Sequence, residues 1–168
     1  DVDNKEHSEI IHKIINYLEL NCNILKTTRG MHFYFKNAGV KNRSVKAYTP
    51  IGIRVDVGVG LKNGLVPLVV NGVKREWLKI TDELDFLPDW LRPVKISPVD
   101  WFSLGEGDGR NQELFNYIVK LQSAGLAKES IVETLNLINK YVLKTPLAQR
   151  EIDTITRDEA FPTETFFT

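Results

Sequence analysis

The chain has 168 residues, of which 42% are hydrophobic and 26% are charged, as is typical of one or two globular domains. No apolar run is long enough for a transmembrane helix, and the acidic, polar start DVDNKEHSE does not resemble a signal peptide. The single cysteine, Cys22, excludes an internal disulfide and a zinc site built from several thiolates. These properties predict a cytoplasmic protein that does not contact a membrane.

The net charge of zero conceals an uneven distribution. Residues 1–99 carry 15 Lys and Arg against 11 Asp and Glu (net +4), whereas residues 100–168 carry 7 against 11 (net −4). Between Lys26 and Lys79 there are eleven basic residues and only two acidic ones, Asp56 and Glu76. Such a segment attracts phosphates. The alternative is an ordinary solvated basic surface.

Apolar spacing predicts a helix near the start of the chain, preceded by a short strand at Asp1-Val2-Asp3. The helix is marked by isoleucines and a leucine at helical spacing: Ile10, Ile11, Ile14, Ile15 and Leu18. Short β-branched or aromatic runs bounded by turn residues then predict five strands, at Asn23–Lys26, Met31–Lys36, Ile51–Val57, Leu65–Val70 and Val73–Lys79. Asn71-Gly72 predicts a hairpin, and Asn63-Gly64 predicts a second turn.

The remainder of the chain is predicted to be a connector followed by helices. Three prolines interrupt Leu84–Trp101, whose apolar residues are expected to dock on the first part: Phe86, Leu87, Trp90 and Leu91. A helix ending near Gly125 is expected to bury one face, formed by Leu114, Phe115, Ile118, Val119 and Gln122. A second helix is predicted over Lys128–Val142, and a third from Thr145-Pro146 that carries Ile152 and Ile155. Three short helices form a small bundle.

Three carboxylates form a candidate metal site. Asp1 and Asp3 share one face of a strand, and two adjacent carboxylates are usually held together by a hard cation such as Mg²⁺ or Mn²⁺. The alternative is an exposed acidic segment. Asp56 lies in an alternating strand whose Val55 and Val57 face the core, so it is either a third ligand or one half of a local ion pair with Arg54.

The alternation of Met31 and Phe33 places His32 on the opposite face of its strand, together with Tyr34. The sequence Thr27-Thr28-Arg29-Gly30 precedes it. Hydroxyls, a guanidinium and a glycine suit an oxyanion such as a triphosphate. The alternative for His32 is a hydrogen-bonded structural residue.

These motifs, in this order, resemble the archaeo-eukaryotic primase superfamily, and more narrowly the primase-polymerase domain of phages, plasmids and other mobile elements. Asp1-Val2-Asp3 resembles its first motif, Arg29-Gly30-Met31-His32 its second, and Val55-Asp56-Val57 its third. The sequence after the connector resembles the helical domain often attached to such enzymes, at Gly109–Phe115, Ala124–Leu126 and Arg157–Phe161.

The resemblance implies an α+β fold: the C-terminal part of an RRM-like catalytic core over residues 1–95, a connector over 96–109 and a helical domain over 110–168. The core would have a mixed or antiparallel sheet with a flanking helix, and the helical domain would be a three-helix bundle. Because the family has a substantial stretch before its first motif, the chain is expected to be a fragment.

The resemblance further implies template-directed nucleotidyl transfer in replication. Asp1, Asp3 and Asp56 would be catalytic and would hold two divalent ions, Mg²⁺ or Mn²⁺, with no zinc. Nucleotide binding would fall to His32, Arg29, Thr28, Gly30 and Lys62. Weaker DNA contacts would come from Lys36, Lys41, Arg43, Lys46, Arg110 and Asn111.

The implied partners are a single-stranded DNA template, nucleoside triphosphates and a replicative helicase, in the cytoplasm of a bacterial or archaeal host. Two alternative functions remain open. One is a non-catalytic module that binds single-stranded DNA or acts in replication initiation, and the other is a metal-dependent nuclease.

Overall fold

A computed structural model describes residues 1–60 and 66–161, which form an α+β protein, as predicted. This part of the chain has four α-helices and three small antiparallel sheets. Within these ranges it divides into two compact units: unit 1 comprises residues 1–49 and 53–94, and unit 2 comprises residues 50–52 and those from 95 on. Lys62 and the predicted Asn63-Gly64 turn lie outside the described residues. No helix in the described ranges is both long and apolar enough to cross a membrane.

Unit 1 begins with helix α1, Lys5–Tyr17. The side chain of Asn4 caps its first turn by accepting a hydrogen bond from the His7 N–H at 2.9 Å. Helical spacing brings its isoleucines to one face, where Ile11, Ile14 and Ile15 are fully buried, as predicted.

In the part of the chain that the structure describes, seven short strands pair in three antiparallel sheets. The largest sheet places β1 (Asn23–Lys26) between β2 (Met31–Tyr34) and β7 (Trp77–Lys79). Strand β3 (Ser44–Tyr48) pairs with β4 (Arg54–Val57). The third sheet is a hairpin of β5 (Val69–Val70) and β6 (Val73–Lys74). Its turn residues Asn71 and Gly72 have φ of 50° and 77°, which confirms the predicted hairpin.

The predicted first strand is an extended segment that links two of these sheets. Val2 exchanges both backbone hydrogen bonds with Met31 of β2, at 3.0 and 3.2 Å. On the other side, the Asp1 nitrogen donates to the Asp56 carbonyl at 2.7 Å, and the Asp56 N–H donates to the Asp1 carbonyl at 2.9 Å. The segment from Asp1 to Asp3 therefore lies between β2 and β4.

Several predicted strand boundaries are wrong, and each has a local cause. Strand β3 was not predicted because its side chains do not alternate regularly between the two faces of the sheet. Lys46, at φ 51°, interrupts that alternation. The strand predicted from Ile51 starts only at Arg54, since Gly52 turns the chain with φ 84°. The run predicted over Val73–Lys79 splits in two, because its first part pairs within the hairpin and its second part pairs with β1.

The connector packs on unit 1 through only part of its predicted apolar set. A 3-10 turn at Asp89–Leu91 buries Trp90 and Leu91. Phe86, in contrast, is 63% exposed, so its predicted docking is wrong. Backbone hydrogen bonds to Lys36 fix the chain on either side of Phe86. The Lys36 N–H donates to the Asp85 carbonyl, and the Leu87 N–H donates to the Lys36 carbonyl. These bonds hold the chain extended and leave the Phe86 ring at the surface.

Unit 2 is helical. Its α-helices are α2 (Arg110–Ser123), α3 (Lys128–Leu137) and α4 (Gln149–Ile155). The helix predicted over Lys128–Val142 ends in a π-helical turn, Ile138–Val142. Trp101 and Tyr117 are fully buried with their ring centroids 4.9 Å apart. The Tyr117 hydroxyl donates to the Pro50 carbonyl at 2.6 Å.

Two details of the helical prediction are wrong. Phe115 and Val119 of α2 are 46% and 57% exposed, because the buried stripe is rotated toward Tyr117 and Leu121. Helix α4 begins at Gln149 rather than at Pro146. The reason is Asn139, whose side-chain amide holds both the N–H and the carbonyl of Leu147, at 2.7 and 3.0 Å, in a non-helical loop.

The buried Cys22 gives a test of the unit 1 core. Burial raises the pKa of its thiol from 9.0 to about 11, with Asp85 adding to the increase and Lys79 opposing it. A thiol-reactive dye at pH 8 should therefore label Cys22 only at the rate of unfolding, and at once in denaturant. Because burial disfavours the thiolate, the fold loses stability as pH rises from the ordinary thiol pKa of 9.0 to the raised pKa of about 11. Rapid labelling of the native chain would contradict this packing.

Candidate metal and nucleotide site

Three carboxylates meet at the extended segment in unit 1. Asp1 and Asp3 lie two residues apart on that segment, and Asp56 lies on β4. Ligand oxygens from the three side chains all lie within 4.8 Å of one another. The backbone explains this proximity: Asp1 and Asp56 are a hydrogen-bonded antiparallel pair, in which opposed side chains share a face.

A protein donor contacts one oxygen of each carboxylate. The Asp1 carboxylate lies 3.3 Å from the Nε2 atom of His32. Arg29 donates from Nη2 to Asp3 at 2.6 Å. The backbone N–H of Lys46 donates to Oδ1 of Asp56 at 2.7 Å. Donors of this kind fix the direction of a carboxylate, as the outer contacts of metal ligands do.

The contact from Lys46 depends on an irregular strand. The pairing of β3 with β4 shifts register between Ser44 and Ala47. Lys46 has the left-handed φ of 51°, which directs its N–H to the Asp56 carboxylate. Lys46 was predicted as a DNA contact through its side chain, whereas its bond to the site comes from its backbone.

His32 lies between Asp1 and Tyr34. Its Nδ1 atom is 3.1 Å from the Tyr34 hydroxyl, and both side chains are on the same face of β2, as predicted. Burial, the nearby Asp1 amino group and Arg75 lower the pKa of His32 to about 4, although Asp3 opposes them. The imidazole is therefore neutral at pH 7. A proton on Nε2 satisfies both contacts, because the Tyr34 hydroxyl then donates to Nδ1 and Nε2 donates to Asp1.

The sequence before His32 forms the turn between β1 and β2. The Gly30 N–H donates to the Thr27 hydroxyl at 3.1 Å, while Thr28 and Arg29 are exposed. Gly30 is buried, and a Cβ there would lie 1.8 Å from the Val2 carbonyl oxygen. A glycine is thus required at position 30 because the extended segment passes close to its backbone. The sequence had suggested a different reason, namely contact with a triphosphate.

Arg75 is a site residue that the sequence reasoning did not single out. It lines a cleft of about 380 Å³ together with Asp1, Asp3, Arg29 and His32. Its Nη1 donates to the Pro67 carbonyl at 2.9 Å, and its Nε is buried with no hydrogen-bond partner among residues 1–60 and 66–161. In the sequence, Arg75 is one of eleven cations in a basic segment, and nothing local distinguishes it.

A second, larger cleft adjoins the cluster. Its volume is about 690 Å³, and Asp1 and Asp56 line it. The other walls include His32, Tyr34 and Arg43. A volume of this size is within the range of small-molecule pockets.

The remaining predicted contacts lie outside these clefts. The Lys36 ammonium is 5.3 Å from the centre of the Phe86 ring, and Lys41 is exposed. Arg110 and Asn111 belong to unit 2, where they begin α2. The guanidinium of Arg110 donates to the carbonyl of Thr145.

No protein-family model, curated protein or solved structure matches the chain. Its function is therefore inferred from the geometry of the site and from the motifs.

Proposed function

We propose that the chain carries the active site of a metal-dependent nucleotidyltransferase of the primase-polymerase type, which copies a single-stranded DNA template. The observation that supports the proposal best is the convergence of Asp1, Asp3 and Asp56, whose ligand oxygens lie within 4.8 Å of one another beside two clefts. Three carboxylates in such proximity repel one another unless cations offset their charge.

The donor set fits hard divalent ions. Carboxylate oxygens suit Mg²⁺ and Mn²⁺, and the protein donors to Asp1, Asp3 and Asp56 hold these groups in fixed directions. Bound there, a pair of such ions supplies activation of the attacking 3′-hydroxyl and neutralisation of the leaving pyrophosphate.

The other residues of the site suit the nucleotide. His32 lines both clefts at the edge of the cluster, and Arg75 and Arg29 add positive charge for phosphate oxygens. The larger cleft is wide enough for a nucleoside. The basic segment supports binding of the template backbone. The resemblance to primase motifs extends the proposal to replication of a phage, plasmid or integrated element in the cytoplasm of a bacterial or archaeal host, with a replicative helicase in the same or another chain as partner.

The proposal is tested with a primed DNA template, labelled nucleoside triphosphates, and the full chain in Mg²⁺ or Mn²⁺. We expect primer extension that stops when EDTA is added. Shortening of the DNA would instead support a nuclease. Binding of single-stranded DNA that is equal with and without divalent ions, and no extension, would support a non-catalytic module. Calorimetric titration with Mn²⁺ tests the cluster directly, since affinity should fall in Asp3→Asn.

Arg75 provides a prediction for nucleotide binding. Because Arg75 lines the carboxylate cleft, Arg75→Gln should raise KM for the nucleotide on the order of tenfold, which corresponds to about one charge-assisted hydrogen bond. Lys13→Gln is the control, because Lys13 is an exposed cation of unit 1 on α1, outside the cleft. Steady-state kinetics at constant template concentration measure both variants. Equal increases in KM in the two variants would show that the effect depends on the number of basic residues and not on the position of Arg75.

A further inference from the structure

An aromatic pair lies on the sheet that carries His32. The ring centroids of Tyr34, on β2, and Trp77, on β7, are 5.9 Å apart, with an angle of 49° between the ring planes. The two strands flank β1, so the rings meet across the middle strand of the sheet. Trp77 is 37% exposed, whereas Trp90 and Trp101 are fully buried. A tryptophan at the surface offers a large flat face to a ligand.

The pair is connected to the carboxylate cluster through one side chain. The Tyr34 hydroxyl lies 3.1 Å from Nδ1 of His32, and Nε2 of the same ring lies 3.3 Å from Asp1. Tyr34 also lines the cleft of about 690 Å³ that adjoins the cluster. A ligand stacked on the pair is therefore close to the reacting groups of the proposed enzyme.

Arg75 places positive charge near the pair. Arg75 precedes Trp77 by two residues. Burial raises the pKa of Tyr34, and the positive charge of Arg75 partly opposes this increase. Lys74 precedes Arg75 and is exposed. Lys26, at the end of β1, is also exposed, but strand alternation directs its side chain to the opposite face from Leu25 and Trp77. Aromatic faces interspersed with cations are the pattern by which proteins bind single-stranded nucleic acid.

We infer that Tyr34 and Trp77 form a stacking platform for a base of a bound DNA single strand. The inference rests on the proposed function, because it names residues that hold the strand on which the transferase acts. A strand fits better than the base of a free nucleotide. Lys74 is additional to the arginines of the cleft, and phosphates on successive nucleotides match positive charge that extends beyond the cleft.

The pair also has a structural role, and the experiment must distinguish this role from ligand binding. Leu25 of β1 is paired with both His32 and Trp77, and it is fully buried. Trp77→Ala therefore uncovers Leu25 and lowers stability. Trp77→Phe keeps a ring over Leu25 and a face for stacking, so it serves as the second variant.

The test measures binding of a fluorescein-labelled oligodeoxythymidylate by anisotropy, in EDTA and at low salt. Trp77→Ala should raise Kd on the order of tenfold, and Trp77→Phe by less than about threefold. Phe86→Ala, which removes an exposed ring of the same unit, should bind as the unsubstituted chain does. Circular dichroism at the assay temperature verifies that each variant is folded.

Three outcomes would overturn the inference: unchanged binding in Trp77→Ala, equal weakening in Phe86→Ala, or a raised KM for the free nucleotide with an unchanged Kd for the oligonucleotide. Because binding is measured in EDTA, its result does not depend on the metal. Unchanged binding in Trp77→Ala, together with normal primer extension, would contradict the stacking platform but not the proposed nucleotidyltransferase. Weakened binding in Trp77→Ala, in a chain that never extends a primer, would contradict the nucleotidyltransferase but not the platform.

Discussion

Replacement of Asp56 by asparagine should lower nucleotide incorporation on the order of a thousandfold. The asparagine would keep the size of the side chain and an oxygen for the Lys46 N–H, which donates to Asp56 at 2.7 Å. The substitution therefore removes little except the charge. Metal ions contribute several kcal/mol to stabilising a phosphoryl-transfer transition state, and about 1.4 kcal/mol corresponds to a factor of ten in rate.

The same substitution should leave the fold intact. Without metal, Asp1, Asp3 and Asp56 repel one another, so removing one charge relieves a destabilising interaction of about 1 kcal/mol or less in this partly exposed cluster. We therefore expect Asp56→Asn to unfold at an equal or higher urea concentration in EDTA, and to lose the additional stability that Mn²⁺ gives the unsubstituted chain.

Asp82→Asn is the matched control, because Asp82 is an exposed carboxylate of unit 1 outside the cluster. It should retain both the incorporation rate and the stabilisation by Mn²⁺. If Asp56→Asn also retained both, the cluster would be an ordinary acidic surface, and the proposed chemistry would be wrong.

Local patterns predicted the elements that depend on local interactions. Helix α1 and strand β1 occur where the apolar spacing placed them. The alternation of the strands also put Asp1 and Asp3 on one face, and His32 with Tyr34 on another. The resemblance to primase motifs linked these residues to Asp56. The structure brings the three carboxylates together through backbone pairs that join residues about 55 positions apart, a distance over which spacing alone carries no information.

The residues that the sequence did not reveal act through tertiary placement. Arg75 enters the cleft because the run predicted as one strand divides between β6 and β7. Lys46 reaches Asp56 through a backbone N–H that only a left-handed residue in an irregular strand presents. The pattern of side chains in the sequence predicts neither the position of Arg75 nor the direction of the Lys46 N–H. In both cases an interruption of regular pairing positions a donor at the site.

Gly30→Ala should destabilise unit 1 by about 2–4 kcal/mol and abolish Mn²⁺ binding at the cluster. An alanine Cβ would lie 1.8 Å from the Val2 carbonyl oxygen and 3.2 Å from the Asn4 nitrogen, so the extended segment must move away. That movement breaks the two backbone bonds between Val2 and Met31, which are 3.0 and 3.2 Å long.

The expected loss of metal affinity follows from the same displacement. Asp1 and Asp3 are the two proposed metal ligands on the extended segment, whereas Asp56 is held on β4 by its pairing with β3. Moving the segment separates these ligands without changing any of them. Urea unfolding and Mn²⁺ titration measure the two effects. Gly105→Ala is the control, since a Cβ there meets only the Asp108 carboxylate at 3.4 Å. Normal Mn²⁺ affinity in a folded Gly30→Ala chain would show that the segment does not position the ligands.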